Sequence, residues 1–373
     1  MRKFSAFMTA ALVSASLASP AWADDTITLG MVVGTTGAFA GGEAPLVNGT
    51  KLAVEDLNAK GGIAGKQVEL IIEDTGSEQT GAINAFNRIV GQEPVAIMDT
   101  TLSGFVLSQV GMIEDEGIPT FTGAATIQLA PDRKGIPPLF RIRTNDHKVA
   151  SGAARFAVEN LKAKSVAVLR INNEYGKGWL EAIEKTLGEL GQKAAAVESY
   201  EGPDRDMTPQ LLRIKNANPE ALIVAGDPPN HVVAVQQIRQ LGLTMPVILS
   251  NAGVLPTTLK LYQPEASNGI YGTVDSLPSA VEANKDWSDR YRKAFNLEPD
   301  YSAAEYYDGV MMIAAAIEKV GTDSEALVAE LRTIKEHGGI GNTYSYADQG
   351  DGGVAVSIVQ IENGGLKLVT TVK

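Results

Sequence analysis

Two hydroxyl-rich segments stand out as places where a small anion can be held. Thr100-Thr101-Leu102-Ser103 lies between a short apolar run and an amphipathic stretch, and Thr122-Gly123-Ala124-Ala125-Thr126 follows the next apolar run in the same way. A hydroxyl at a strand-to-helix junction caps free helix N–H groups, and those N–H groups also attract a carboxylate. Both segments are equally compatible with plain N-caps. Asn173-Glu174-Tyr175-Gly176 is a third junction, where Tyr175 can cover a ligand with its ring or simply pack on Trp179. Asp227, in Gly226-Asp227-Pro228-Pro229, can face a ligand or cap the helix that begins near Asn230.

Signatures of catalysis are thin. Gly30, Gly34 and Gly37 do not fit G-x-G-x-x-G, and neither a phosphate-binding G-x-x-x-x-G-K-[ST] loop nor a G-x-S-x-G elbow occurs. His147, His231 and His337 lack metal-ligand spacing and suggest no Ser-His-Asp arrangement. With no cysteine, thiolate metal sites, disulfides, a cysteine nucleophile and a lipid-bearing cysteine are excluded. The expectation is a non-enzyme with no cofactor and no metal.

The elements that position these residues alternate. Short β-branched runs at 26–33, 68–73, 95–99 and 119–122 are separated by helical patterns at 43–60, 79–90 and 103–116. Asn58 to Gly65 (NAKGGIAG) ends the first helix, because clustered glycines supply the positive φ of a helix stop. A second series follows. Its helices are predicted at 148–161, 178–190, 208–216 and 230–241, and its strands at 165–171, 194–199, 221–225 and 247–249. Such alternation gives a parallel sheet with helices on both faces, here an α/β fold of two doubly wound lobes. The C-terminal third, with a strand at 270–274, helices near 287–295, 303–319 and 324–334, and strands at 354–361 and 367–372, is too short for a third lobe. It must complete the first two, so the chain recrosses between lobes and the crossings form a hinge. Ligand then sits at the carboxyl ends of the strands.

Met1 to Ala23 reads as an export signal: Arg2 and Lys3, then an apolar and small-residue core, then Ala21-Trp22-Ala23 as the cleavage pattern. Its apolar stretch is diluted by serine and threonine, too short for a span of about 20 apolar residues, so no membrane anchor is expected. The formal charge is −12, with 44 acidic against 32 basic residues, which disfavours nucleic acid and anionic membranes as partners. A periplasmic location and a monomer are expected.

The chain resembles the periplasmic binding proteins for branched-chain amino acids, type I solute receptors of ABC importers. The resemblance rests on Thr36-Gly37-Ala38, the NAKGGIAG segment, Glu73-Asp74, Glu114 to Pro119 (EDEGIP), Tyr175-Gly176 and Tyr306-Tyr307-Asp308, and it covers essentially the whole mature chain. It implies a three-crossing hinge, with lobe one at 26–144 plus 276–339 and lobe two at 145–275 plus 340–373. It also implies a permease of the inner membrane as partner and a small carboxylate-bearing ligand, an amino acid of the branched-chain or hydrophobic class. Residue by residue, it places the ligand carboxylate on Ser103, the ammonium on Ala124 or Ala125 and Thr126, and Tyr175 over the ligand.

Two positions depart from the family pattern. Ala252 stands where amino-acid binders carry a second-lobe acid for the ammonium, and Gly42 stands where many members set an aromatic ring. An unpaired buried ammonium is costly. Either Asp227 or Asp275 replaces the missing acid, or the ligand is an aromatic acid, keto acid or amide without an ammonium. The same module also serves as a sensory receptor, and a periplasmic hydrolase or oxidoreductase is the weaker rival.

Overall fold

A computed structural model describes residues 26–129, 138–347 and 351–372. The export-signal reading falls on residues outside that set.

The first lobe opens with β1 (Ile27–Val33), a run buried on both faces, and continues through α1 (Ala40–Ala59), β2 (Val68–Asp74), α2 (Gln79–Val90), β3 (Ala96–Asp99), α3 (Ser103–Glu116), β4 (Thr120–Thr122) and β5 (Leu139–Arg141). The five strands form a parallel sheet in the order β2-β1-β3-β4-β5. Gly61 and Gly62 take positive φ, and Gly62 N–H donates to Leu57 O at 2.9 Å, so the glycine cluster stops α1 where the sequence predicts. Gly117, at φ 69°, ends α3 in the same way.

The second lobe runs α4 (Asp146–Arg155), β6 (Val166–Ile171), α5 (Glu174–Glu189), β7 (Ala194–Tyr200), α6 (Thr208–Ala217), β8 (Ala221–Ala225), α7 (Pro228–Gln240), β9 (Val247–Leu249), the short α8 (Pro256–Leu259) and α9 (Pro264–Ser267), and β10 (Tyr271–Val274). After α4 the chain makes a π-helical turn, Phe156–Asn160, where the sequence predicts one continuous helix. The chain then returns to the first lobe with α10 (Lys285–Phe295), α11 (Tyr301–Val320), α12 (Ser324–Leu331) and a small antiparallel sheet of β11 (His337–Gly338), β12 (Thr343–Ser345) and β13 (Gly352–Gly353). It finishes in the second lobe with β14 (Val356–Glu362) and β15 (Gly365–Val372).

The second sheet, in the order β15-β14-β10-β9-β8-β6-β7, is parallel except at one edge, where β14 runs antiparallel to β10 and β15 antiparallel to β14. Asn363 and Gly364, with φ 52° and 78°, make the two-residue turn of that hairpin, a geometry Asn-Gly adopts readily. Each sheet has a hydrophobic cluster on either face, so both lobes are doubly wound α/β units.

Three crossings join the lobes, at Arg143 to Asn145, Asp275 to Leu277 and Gly353 to Ala355. Thr144 connects them: its N–H donates to Asp275 Oδ2 at 2.8 Å and its hydroxyl to Ala355 O at 2.5 Å. Asn342 adds a donation to Thr144 Oγ1 at 3.2 Å and accepts from the N–H groups of Val354 and Ala355 at 3.1 Å. Tyr344 is buried in the first lobe's core, and Tyr346 packs edge-on against Phe121 and Phe140. Residues 340–347, assigned to lobe two from sequence, therefore pack with lobe one, because their aromatic side chains complete that core. Among the described residues no helix is long and apolar enough to cross a membrane.

Candidate functional site

A cleft of about 750 Å³ opens between the lobes at the carboxyl ends of both sheets. Ser103 enters it as the first residue of α3. It is only 5% exposed, and its Oγ has no hydrogen-bond partner among the described residues. First-turn N–H groups lack intrahelical acceptors, so an unpartnered hydroxyl and a helix N-terminus converge there. The preceding threonines do not cap α3 through a side chain at the cap position, which Leu102 occupies. Thr100 Oγ1 instead accepts from Leu102 N–H at 3.1 Å and donates to Glu43.

Tyr175 and Asp227 reach the same cleft from the second lobe. Asn173 caps α5 by accepting from Gly176 N–H at 3.0 Å, which fixes the first turn that carries Tyr175. The Tyr175 ring also lies 6.0 Å from Trp179, so it both packs on Trp179 and walls the cleft. Asp227 sits at the N-cap of α7 but accepts no capping bond. Burial pushes its carboxyl up to about 6.

The segment after β4 is placed differently. Ala124, Ala125 and Thr126 are buried and are not among the residues lining the cleft. Arg141 Nη1 donates to Ala124 O at 2.6 Å and to Thr126 O at 3.1 Å, and Asp146 N–H donates to Ala125 O at 2.8 Å. Thr126 Oγ1 accepts from Gln128 N–H at 3.3 Å. Each of these acceptors thus has at least one partner within the protein.

Of the two acids named as substitutes at the Ala252 position, Asp275 is fully buried and committed to the hinge. It accepts from Thr144 N–H, from Arg143 Nη2 at 3.3 Å and from Asn251 Nδ2 at 2.6 Å. Asp227 is the one that lines the cleft, as Ala252 does. Gly42 faces the opposite lobe: a Cβ there would stand 3.4 Å from Pro228 Cγ. A bulky side chain at that position would meet the second lobe at this opening.

Two charged lining residues, Glu43 and Arg143, carry no site role in the sequence analysis. Glu43, in the first turn of α1, is 2% exposed and accepts from Gly34 N–H at 2.5 Å, from Thr101 N–H at 3.2 Å and from the hydroxyls of Thr100 and Thr101. Burial raises its carboxyl above the ordinary range, and these four bonds oppose the shift. Glu43 thereby ties the ends of β1 and β3 into one wall. Arg143 enters from the first crossing, 6% exposed and 5.4 Å from the Tyr301 ring centre. An acid just inside a helix start was the available signal for Glu43; nothing local marks Arg143 as facing a cleft.

Among the described residues, no group of three or more His, Asp or Glu side chains could hold a metal. His231 is buried, with Nε2 2.9 Å from Ser250 Oγ, and desolvation pushes it down to about 3, so it is a neutral core residue.

Two doubly wound lobes joined by three crossings, with an unpartnered hydroxyl and two second-lobe side chains converging between them, define a hinged two-lobed architecture with its cleft at the strand carboxyl ends. The chain belongs to the periplasmic binding protein family, whose sequence model matches residues 26–366. It is 28% identical over 348 residues to the Leu/Ile/Val-binding protein BraC3 of Rhizobium johnstonii, covering 92% of this chain and 93% of that one. It is 29% identical to a leucine-, isoleucine-, valine-, threonine- and alanine-binding protein of Pseudomonas aeruginosa, covering 86% of each. The crystal structure of the branched-chain amino acid transporter substrate-binding protein LivJ of Streptococcus pneumoniae, in complex with isoleucine, superposes with a TM-score of 0.84. Its identity is 26%, over 93% of this chain and 99% of that one.

Proposed function

We propose that this chain is the non-catalytic solute-binding component of an ABC importer, exported by cleavage after Ala23 and acting in the periplasm as a monomer. It captures a small carboxylate-bearing molecule and presents it to a permease of the inner membrane. The observation that carries the reading is Ser103, whose buried, unpartnered hydroxyl stands at the N-terminus of α3 in the cleft. The carboxylate docks there on the first lobe. Rotation about the crossings at Thr144, Asp275 and Ala355 then brings Tyr175 and Asp227 over the ligand. Asp227 supplies the acid that Ala252 lacks, so the ligand of first choice is an amino acid, as the names of the relatives suggest.

A second reading, an aromatic or keto acid without an ammonium, is favoured by Ala252 and by the space left at Gly42. A thermal-shift panel of amino acids, their keto acids and benzoates tests the choice. Stabilisation by amino acids alone supports the first reading, and stabilisation by the acids lacking an amino group overturns it. Turnover of any stabilising compound would overturn the non-catalytic reading.

A further inference from the structure

We infer that Arg143 is a specificity-determining residue that reads an oxygen acceptor on the ligand beyond its carboxylate. The cargo is then a carboxylic acid whose remainder carries a hydroxyl, carbonyl or second carboxylate oxygen, not one with a purely hydrocarbon remainder. This deepens the proposed function and rests on its placing the carboxylate at Ser103.

Arg143 lines the cleft while nearly all of its surface is removed from solvent. A guanidinium carries five N–H donors in a rigid fork. Among the described residues its hydrogen bonding is one long contact, Nη2 to Asp275 Oδ1 at 3.3 Å, and its Nε has no acceptor. The neighbouring arginine shows what saturation looks like: Arg141 engages the carbonyls of Ala124 and Thr126 and the carboxylate of Asp351 at 2.6–3.1 Å. Buried polar groups are nearly always hydrogen-bonded, so a guanidinium left this open on a cleft wall is provision for a partner that arrives with the ligand.

The surroundings define that partner. Asp275 balances the charge, and the Tyr301 ring lies 5.4 Å from the guanidinium. Glu43, Glu174 and Asp227 are the other charged lining residues, so among the described residues a ligand's oxygen acceptor finds its one cationic donor at Arg143. A methyl group in that place would leave the donors buried and unpaired, the arrangement that gives polar pockets their selectivity.

The test compares matched pairs by calorimetry on the full mature chain: aspartate and asparagine against leucine, threonine against valine, and 4-hydroxybenzoate against 4-methylbenzoate. In the wild type the oxygen-bearing member of the pair that binds should be tighter by roughly tenfold to a hundredfold. Arg143→Lys keeps the charge beside Asp275 but removes the fork. It should collapse that ratio towards one and keep the melting temperature near wild type. Ser103→Ala should weaken both members together. Equal or tighter binding of the hydrocarbon member, or an undiminished ratio in Arg143→Lys, overturns the inference. An effect of Arg143→Lys with none of Ser103→Ala overturns only the carboxylate placement. If no pair binds, mass spectrometry of the co-purified ligand decides: a formula with oxygen only in one carboxyl group overturns the inference, and further oxygen supports it.

Discussion

Asp227 lets the two readings of the ligand be separated by pH. Its carboxyl is pushed up to about 6 by burial, and it is the second-lobe acid in the cleft without a capping bond. With that value it is roughly 90% ionised at pH 7 and roughly 10% at pH 5. A ligand ammonium pairs only with the ionised form, and neither charged group of an ordinary amino acid titrates between these pH values. Affinity should therefore fall by about tenfold, or about 1.4 kcal/mol, from pH 7 to pH 5, with proton release on binding near pH 6. A carboxylate lacking an ammonium meets repulsion from the ionised form, so its affinity should rise over the same descent. The sign of the slope thus reports the amino group. Calorimetry at pH 5, 6 and 7, in buffers of different ionisation enthalpy, measures both affinity and proton count. Asp227→Asn should flatten either slope, which separates Asp227 from Asp146 and Asp308, whose carboxyls burial also raises, to about 7 and about 6. An amino acid whose affinity is flat with pH and indifferent to Asp227→Asn would refute the pairing.

Other expectations concern the site, the hinge and the core. Ser103→Ala should weaken ligand binding by about 1–3 kcal/mol in calorimetry, with little change in the melting temperature of the free protein. Because the folded-state carboxyl of Asp227 lies above its ordinary value, ligand-free stability should fall as pH rises from about 4 to about 6, and denaturant midpoints for wild type and Asp227→Asn should diverge across that window. Asp275→Ala strips the buried partner from Arg143 and the acceptor from Thr144 N–H. It should cost about 3–5 kcal/mol by denaturant unfolding. Gly49→Ala drives a Cβ to 2.0 Å from Ala303 O, where α1 lies against α11, and the backbone shift it forces should cost about 1–3 kcal/mol.

What could be read in the sequence was what local pattern encodes. The alternation of apolar runs with helical stretches yields both doubly wound sheets, and NAKGGIAG marks a helix stop because its glycines must adopt positive φ. That Ser103, Tyr175 and Asp227 line the cleft is legible because strand-to-helix junctions recur at strand carboxyl ends, where clefts form. What stayed hidden depends on distant partners. Arg141 occupies the carbonyls of Ala124 and Thr126 from a strand that the sequence reading did not predict, Leu139–Arg141. Glu43 meets Gly34, Thr100 and Thr101 only after three elements assemble, and Arg143 faces the cleft because of where the first crossing runs. Tyr344 and Tyr346 carry residues 340–347 into the first core through contacts with no local signature. The antiparallel edge did have one, the Asn363-Gly364 pair, which marks a hairpin between two strands that were predicted.

The cleft is expected to hold a small carboxylate-bearing molecule, one per chain, without transforming it. Mass spectrometry of the protein purified under native conditions from its own periplasm, before and after unfolding, tests it most directly. The expected result is a single small acid bound one to one, released unchanged by denaturation and rebound by the refolded chain. A bound molecule with no carboxylate, or one that the refolded chain converts to product, would contradict it.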